Sequence, residues 1–109
     1  DVCSSDLFIY GYEAVEQISS VHYDVAFLGA DGIREDGLFS YKREDAVLKQ
    51  VTAKNSDKIY ILTDVSKFFE NRTYKCCPLD DVDGIITDNH PGEELEEMLT
   101  RHGVKLIVA

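Results

Sequence analysis

Four short apolar runs constrain this chain more than any other feature: DVAFLG at 24–29, KIYILTD at 58–64, DVDGIITD at 81–88 and VKLIVA at 104–109. Runs this brief and this continuously apolar suit strands buried on both faces. Between the first two lies KREDAVLKQVTAKN at 42–55, where Val47, Leu48 and Val51 share one helical face and the charges fall elsewhere. Before the last, Asn89 reads as a helix N-cap, with Glu93 and Glu94 in the first turn, Arg101 and His102 in the last, and Gly103 as the stop. That charge order suits the helix dipole, and Leu95, Met98 and Leu99 form the apolar face. Strands joined through helices pair in parallel rather than as hairpins. The expected fold is therefore α/β, a mostly parallel sheet with helices on both faces.

The remaining segments are shorter. LFIY at 7–10 reads as a strand remnant ended by Gly11. YEAVEQISSV at 12–21 places Ala14, Val15, Ile18 and Val21 at helical spacing. A polar, glycine-containing loop is expected from the end of DVAFLG to about Tyr41, and VSKFFENRT at 65–73 reads as a loop or short turn. YKCCPL at 74–79 suits a short strand ended by Pro78. With no linker, repeat or low-complexity tract, residues 1–109 read as a single domain.

Charge and composition exclude several functions. Eleven basic residues among twenty-one acids, net -10, offer no cluster to neutralise a phosphate backbone, so the chain by itself is a poor nucleic-acid binder. No apolar run approaches the ~20 residues of a membrane helix. The start, DVCSSD, is neither a signal peptide nor an initiator methionine, so the chain reads as a piece of something longer. Cys3, Cys76 and Cys77 are an odd number without a CxxC; this suits a reducing cytoplasm and no disulfide framework. With His22, His90 and His102 they do not supply the spaced ligands of a metal site.

In open parallel sheets, ligands bind beyond the carboxyl ends of the strands. Gly29-Ala30-Asp31-Gly32, Asp64-Val65-Ser66-Lys67 and Asp88-Asn89-His90 follow three of the predicted strands. Carboxylates can accept from sugar hydroxyls and a lysine can hold a phosphate, so the three ends suit a phosphorylated, hydroxyl-rich molecule. Plainer readings stand beside this one. Asp31 between glycines also suits a tight turn, Asp88 also suits a helix cap, and Lys49 and Lys67 also suit solvated surface positions. Phe68 and Phe69 read as loop packing. No Ser-His-Asp arrangement, GxGxxG or GxxxxGK[ST] is present, and no cofactor is expected.

DVAFLGADGI (24–33), REDAVLKQV (43–51), IYILTDVSKF (59–68) and DDVDGIITD (80–88) occur in the order and spacing of the C-terminal sensor domain of DeoR-type transcriptional repressors, which this sequence resembles from about Gly11 to Ala109. The resemblance implies a fold like ribose-5-phosphate isomerase and the CoA transferases. It implies a cytoplasmic regulator of sugar uptake and catabolism, usually homo-oligomeric, that binds a phosphorylated sugar and then leaves its operator. DNA would be contacted only through an N-terminal winged helix-turn-helix, which this sequence lacks together with the first part of the sensor domain. Gly29, Ala30 and Asp31 resemble the GAD stretch at which the isomerase holds its sugar. Ser66-Lys67 resembles an SK pair whose lysine contacts substrate. Where the isomerase has a general-base glutamate before a helical lysine, this chain has Leu48-Lys49, which implies retained binding without catalysis. The glycine-rich lysine loop of the isomerase corresponds to FSYK at 39–42, a departure that weakens an enzyme reading further. The expected ligand residues are thus Gly29, Ala30, Asp31, Gly32, Lys49, Asp64 and Lys67. An isomerase-like enzyme and a ligand-free oligomerisation module are the alternatives.

Overall fold

The structure, a computed structural model, describes residues 16–109. The strand expected at 7–10, the first turn of the helix expected at 12–21, and Cys3 lie outside the described residues. A helical stretch at 16–19 leads into β1 (Tyr23–Gly29), β2 (Gly32–Arg34), β3 (Gly37–Ser40), α1 (Arg43–Lys54) and β4 (Ser56–Leu62). A 3-10 turn at Val65–Phe69, β5 (Tyr74–Cys77), a second 3-10 turn at Leu79–Asp81, β6 (Gly84–Thr87), α2 (Glu93–Arg101) and β7 (Lys105–Val108) complete the order.

The four apolar runs form one parallel sheet in the order β1-β4-β6-β7. Every crossover steps the same way along that sheet, so crossovers of the usual right hand all fall on one face. Burial agrees. Ile59, Ile61 and Ile85 turn to a core shared with Ile33 and Leu38 of the β2–β3 hairpin, Ala46 of α1 and Leu99 of α2. Full burial of an isoleucine is worth about 1.5–3 kcal/mol, so Ile61 and Ile85, both 0 % exposed, anchor the fold.

The other face differs from expectation. β1 is not buried on both faces: Val25 is 41 % and Phe27 59 % exposed, and Leu62 of β4 is exposed beside them. The physical reason is the topology, which among the described residues brings both complete helices to the same side. Phe27 stacks on Tyr60 at 5.9 Å, and Tyr60 in turn lies over Gly84, where a Cβ would sit 2.8 Å from the ring.

The polar loop expected before Tyr41 is a β-hairpin. Arg34 pairs with Gly37, leaving Glu35 and Asp36 as its two-residue turn. β5 adds antiparallel to β3, giving a second, three-stranded sheet, with an irregularity between Leu38 and Phe39. Gly37 is required there: its φ is +148°, and a Cβ would fall 2.4 Å from the Cys77 carbonyl oxygen.

Asn89 is not the N-cap of α2. The helix begins at Glu93 with Gly92 before it, and Asn89 Oδ1 accepts from the His90 amide instead. Pro91 explains the delay, because the residue before a proline avoids the helical region. At the other end Gly103 adopts φ +71°, its amide donates to Thr100 O and the Val104 amide to Leu99 O. Those two bonds make a Schellman stop, closed by the buried pair Leu99 and Val104.

Candidate functional site

In register, Gly29 of β1 faces Leu62 of β4, and Leu62 faces Ile86 of β6. The carboxyl ends of three strands therefore share one rim. Asp31 is clasped there from two sides. Its amide donates to Phe39 O at 3.0 Å, and its Oδ2 accepts from the Tyr41 amide at 2.9 Å. One carboxylate oxygen thus fixes the return of the hairpin, while Oδ1 has no partner among the described residues.

The neighbours of Asp31 divide. Gly29 is exposed, and a Cβ there would meet nothing nearer than 4.0 Å, so its missing side chain leaves the rim open. Ala30 is buried in the core. Gly32 is buried too, and a Cβ would come within 2.9 Å of the Glu70 carbonyl and 3.1 Å of Arg72 Cγ. The close approach of the segment at 70–72 accounts for that glycine.

At the end of β4, Asp64 caps the 3-10 turn. Its Oδ1 accepts from the Ser66 amide at 3.0 Å and from the Ser66 hydroxyl. The hydroxyl bond above all holds its carboxyl below the usual range. Asp88, expected to cap α2, serves the neighbouring turn: its Oδ1 accepts from the Val65 amide at 2.8 Å and from Thr87 Oγ1 at 3.3 Å. The turn after β4 is thereby tied to the end of β6. Lys67 rides on this turn, half-buried, with its ammonium in no ion pair among the described residues.

Lys49 is not the solvated lysine that its place on α1 suggests. Its side chain is 15 % exposed, and Nζ lies 2.8 Å from Asp45 Oδ2 and 3.4 Å from Ser40 Oγ. Ser40, wholly buried, donates to the same Asp45 oxygen at 2.9 Å and sits 2.9 Å from Cys76 Sγ. Burial pushes the Cys76 thiol up, and Cys77 more so, to about 12. Ser40 precedes Tyr41, whose amide holds Asp31, so this network backs the Asp31 clasp. Of its members beyond Lys49, the Asp45–Lys49 spacing of four on one helix was the available signal. Nothing in the local sequence joins Ser40 to Cys76, which lies 36 residues away.

The open spaces do not all coincide with the rim. A groove of about 510 Å³ lies at the amino end of the sheet, between Ala53, Lys54, Ile59, Lys75 and Pro78. His22, Asp24 and Asp57 cluster at that same end, all exposed, with His22 Nε2 3.1 Å from Asp57. A smaller cleft of about 350 Å³ adjoins the carboxyl rim, lined by Phe68 and Phe69 of the 3-10 turn and by Pro91–Leu95. Phe68 follows Lys67 on the same turn, but Asp31, Asp64, Lys67 and Asp88 line neither space. Size alone favours the larger groove, but convergent polar groups decide orientation and specificity.

Comparison with known proteins places the sequence in a family. The chain is 34 % identical over 101 residues to the HTH-type transcriptional repressor GlcR of Bacillus subtilis, covering 93 % of this chain and 39 % of that protein. It is 30 % identical over 104 residues to the glycerol-3-phosphate regulon repressor of Escherichia coli, covering 94 % and 41 %. It is 26 % identical over 109 residues to the HTH-type transcriptional regulator GolR of Listeria innocua, covering 99 % and 43 %. The chain spans about two fifths of the length of these relatives, which are named as transcriptional repressors or regulators. Among the described residues no helix is long and apolar enough to cross a membrane. The profile of the DeoR C terminal sensor domain matches residues 1–89, and the chain belongs to that family.

Proposed function

We propose that this chain is the effector-sensing part of a repressor of sugar uptake and catabolism, and that it binds a phosphorylated sugar whose arrival relieves DNA binding. The observation that carries this reading is the shared rim: Asp31 Oδ1, the Asp64 turn, Asp88 and the Lys67 ammonium, in no ion pair among the described residues, border one edge of the sheet. Carboxylates accept from hydroxyls, and Lys67 supplies a cation for the phosphate. The name of the glycerol-3-phosphate regulon repressor supports a small phosphorylated polyol as the chemical class. Lys49 takes a supporting part, since Asp45 already neutralises it. Residues 1–109 act as one sensing unit, in a protein that works as a homo-oligomer. The net charge of -10 assigns DNA contact to a part of the protein other than these residues.

The test is a thermal-shift screen of this chain and of the complete repressor against sugar phosphates, with inorganic phosphate as control. A ligand at a hundred times its Kd stabilises the folded state by about 2.7 kcal/mol. A selective rise that is weakened by Lys67→Ala is expected. No rise in either protein, or a Lys67→Ala variant of unchanged affinity, refutes the reading.

A further inference from the structure

Three separate stretches of chain meet on one imidazole. His102, the C-cap of α2, places Nδ1 2.6 Å from Asp80 Oδ1 and Nε2 3.1 Å from Glu35 Oε2. Asp80 lies in the 3-10 turn after β5, and Glu35 lies in the turn of the β2–β3 hairpin. Arg101 Nη2 reaches the same Glu35 oxygen at 3.2 Å. Glu35 from the hairpin, Asp80 from the 3-10 turn and Arg101 from its own helix are the charged groups around His102 among the described residues.

The geometry dictates the protonation state. An ionised carboxylate only accepts, and a neutral imidazole carries a single N–H. A neutral His102 would serve one carboxylate and turn a lone pair toward the other. Both contacts are satisfied together only by the imidazolium, which the C-terminal end of α2 also favours. We infer that His102 is a proton-gated clasp that holds the β2–β3 hairpin, and with it the return strand after Asp31, against the end of α2. On loss of the proton the shorter bond to Asp80 keeps the remaining N–H, and the link to Glu35 opens, with Arg101 left as its partner.

The charge environment agrees. The hydrogen bond to Asp80, then that to Glu35, raises the His102 pKa above its ordinary 6.5. The bonds from His102 and Arg101 lower that of Glu35 from 4.5. The signs define a window. The His102 contribution is fully present below the unfolded value near 6.5 and is lost as pH rises through the raised folded value. The Glu35 contribution is present above its unfolded value near 4.5 and is lost as pH falls through the lowered one. The clasp is complete between those limits.

The inference stands apart from any ligand, and so does its test. The imidazole C–H resonances of the chain are titrated by NMR, with His102→Gln identifying the signal. Protection of the hairpin amides against hydrogen exchange, corrected for intrinsic rate, is followed over the same pH range. The expected results are a His102 midpoint above 6.5 and a severalfold loss of hairpin protection through that midpoint, absent in His102→Gln. Should that variant fail to fold, Glu35→Gln serves in its place and is expected to lower the His102 midpoint. A midpoint at or below 6.5, an unmoved midpoint in Glu35→Gln, or hairpin protection that ignores the titration overturns the inference.

Discussion

Asp31 can be tested for its two proposed roles separately, because one oxygen holds the backbone and the other has no partner among the described residues. Asp31→Asn keeps an acceptor for the Tyr41 amide, now 2.9 Å from Oδ2, and removes the charge. Asp31→Ala removes both. A hydrogen bond to a charged group contributes about 1.5–3 kcal/mol when buried. Asp31 is only half-buried and Tyr41 is exposed, so water replaces part of the lost bond and about 1 kcal/mol is expected for the alanine variant. For a domain of this size that is a fall of roughly 4–8 °C in Tm. The asparagine variant should melt within a degree or two of the parent, about 0.3 kcal/mol or less. Binding should rank differently. If the open oxygen accepts from a sugar hydroxyl, Asn weakens the sugar phosphate found in the thermal screen by about tenfold, close to 1.4 kcal/mol. Calorimetric titration of both variants at matched folded fraction reads this directly. An asparagine variant with parental Kd would reduce Asp31 to a turn residue, and an alanine variant with parental Tm would refute the account of the clasp.

Two further outcomes follow from packing. Gly37→Ala combines a left-handed φ of +148° with a Cβ 2.4 Å from the Cys77 carbonyl, and should cost about 3 kcal/mol or more in urea denaturation. Gly103→Ala, at φ +71° in open space, should cost about 1–2 kcal/mol; equal losses would contradict the contact argument. Cys77 is buried with its pKa near 12, so it should resist a thiol reagent at pH 8 and react at once when urea unfolds the chain.

The parallel sheet was legible because its strands are continuous apolar runs. Ile59, Ile61 and Ile85 announce themselves in any window. What such a run conceals is which side meets the core. Val25 and Phe27 read like Ala26 and Leu28, yet the alternation places them on the exposed face. The hairpin was missed because GIR and GLFS are too short to show a period, though the dipeptide Asp36-Gly37 was a usable turn signal. The rim itself was foreseeable, since strand ends follow from strands. Which atoms on it are already spoken for was not. Ser66 binds Asp64 within the local sequence, but Asp88 reaches Val65 across 23 residues and Ser40 reaches Cys76 across 36. Those pairings depend on a register that only the folded sheet supplies.

The same pairings bear on whether the proposed rim site could turn a substrate over. Removing a proton from carbon needs a base with a lone pair to spare and a pKa near the working pH. Leu48, which stands where the resemblance to the isomerase leads one to expect a glutamate, is buried. Lys49 next to it is engaged by Asp45, and the Asp45 oxygen facing it is shared with the Ser40 hydroxyl. Asp64 is held below the ordinary carboxylate range by Ser66, which keeps it ionised and makes it a weaker base. On the proposed reading the rim recognises its ligand and does not transform it. The binding energy then has one outlet, a shift between states of the protein, and that shift can be no larger than the difference in affinity for the two. Lys67 rides on a turn whose Val65 amide donates to Asp88, just beyond the end of β6. A phosphate drawn to Lys67 would act on that turn directly, which makes the Asp88–Val65 tie the first place where occupancy becomes a change of shape.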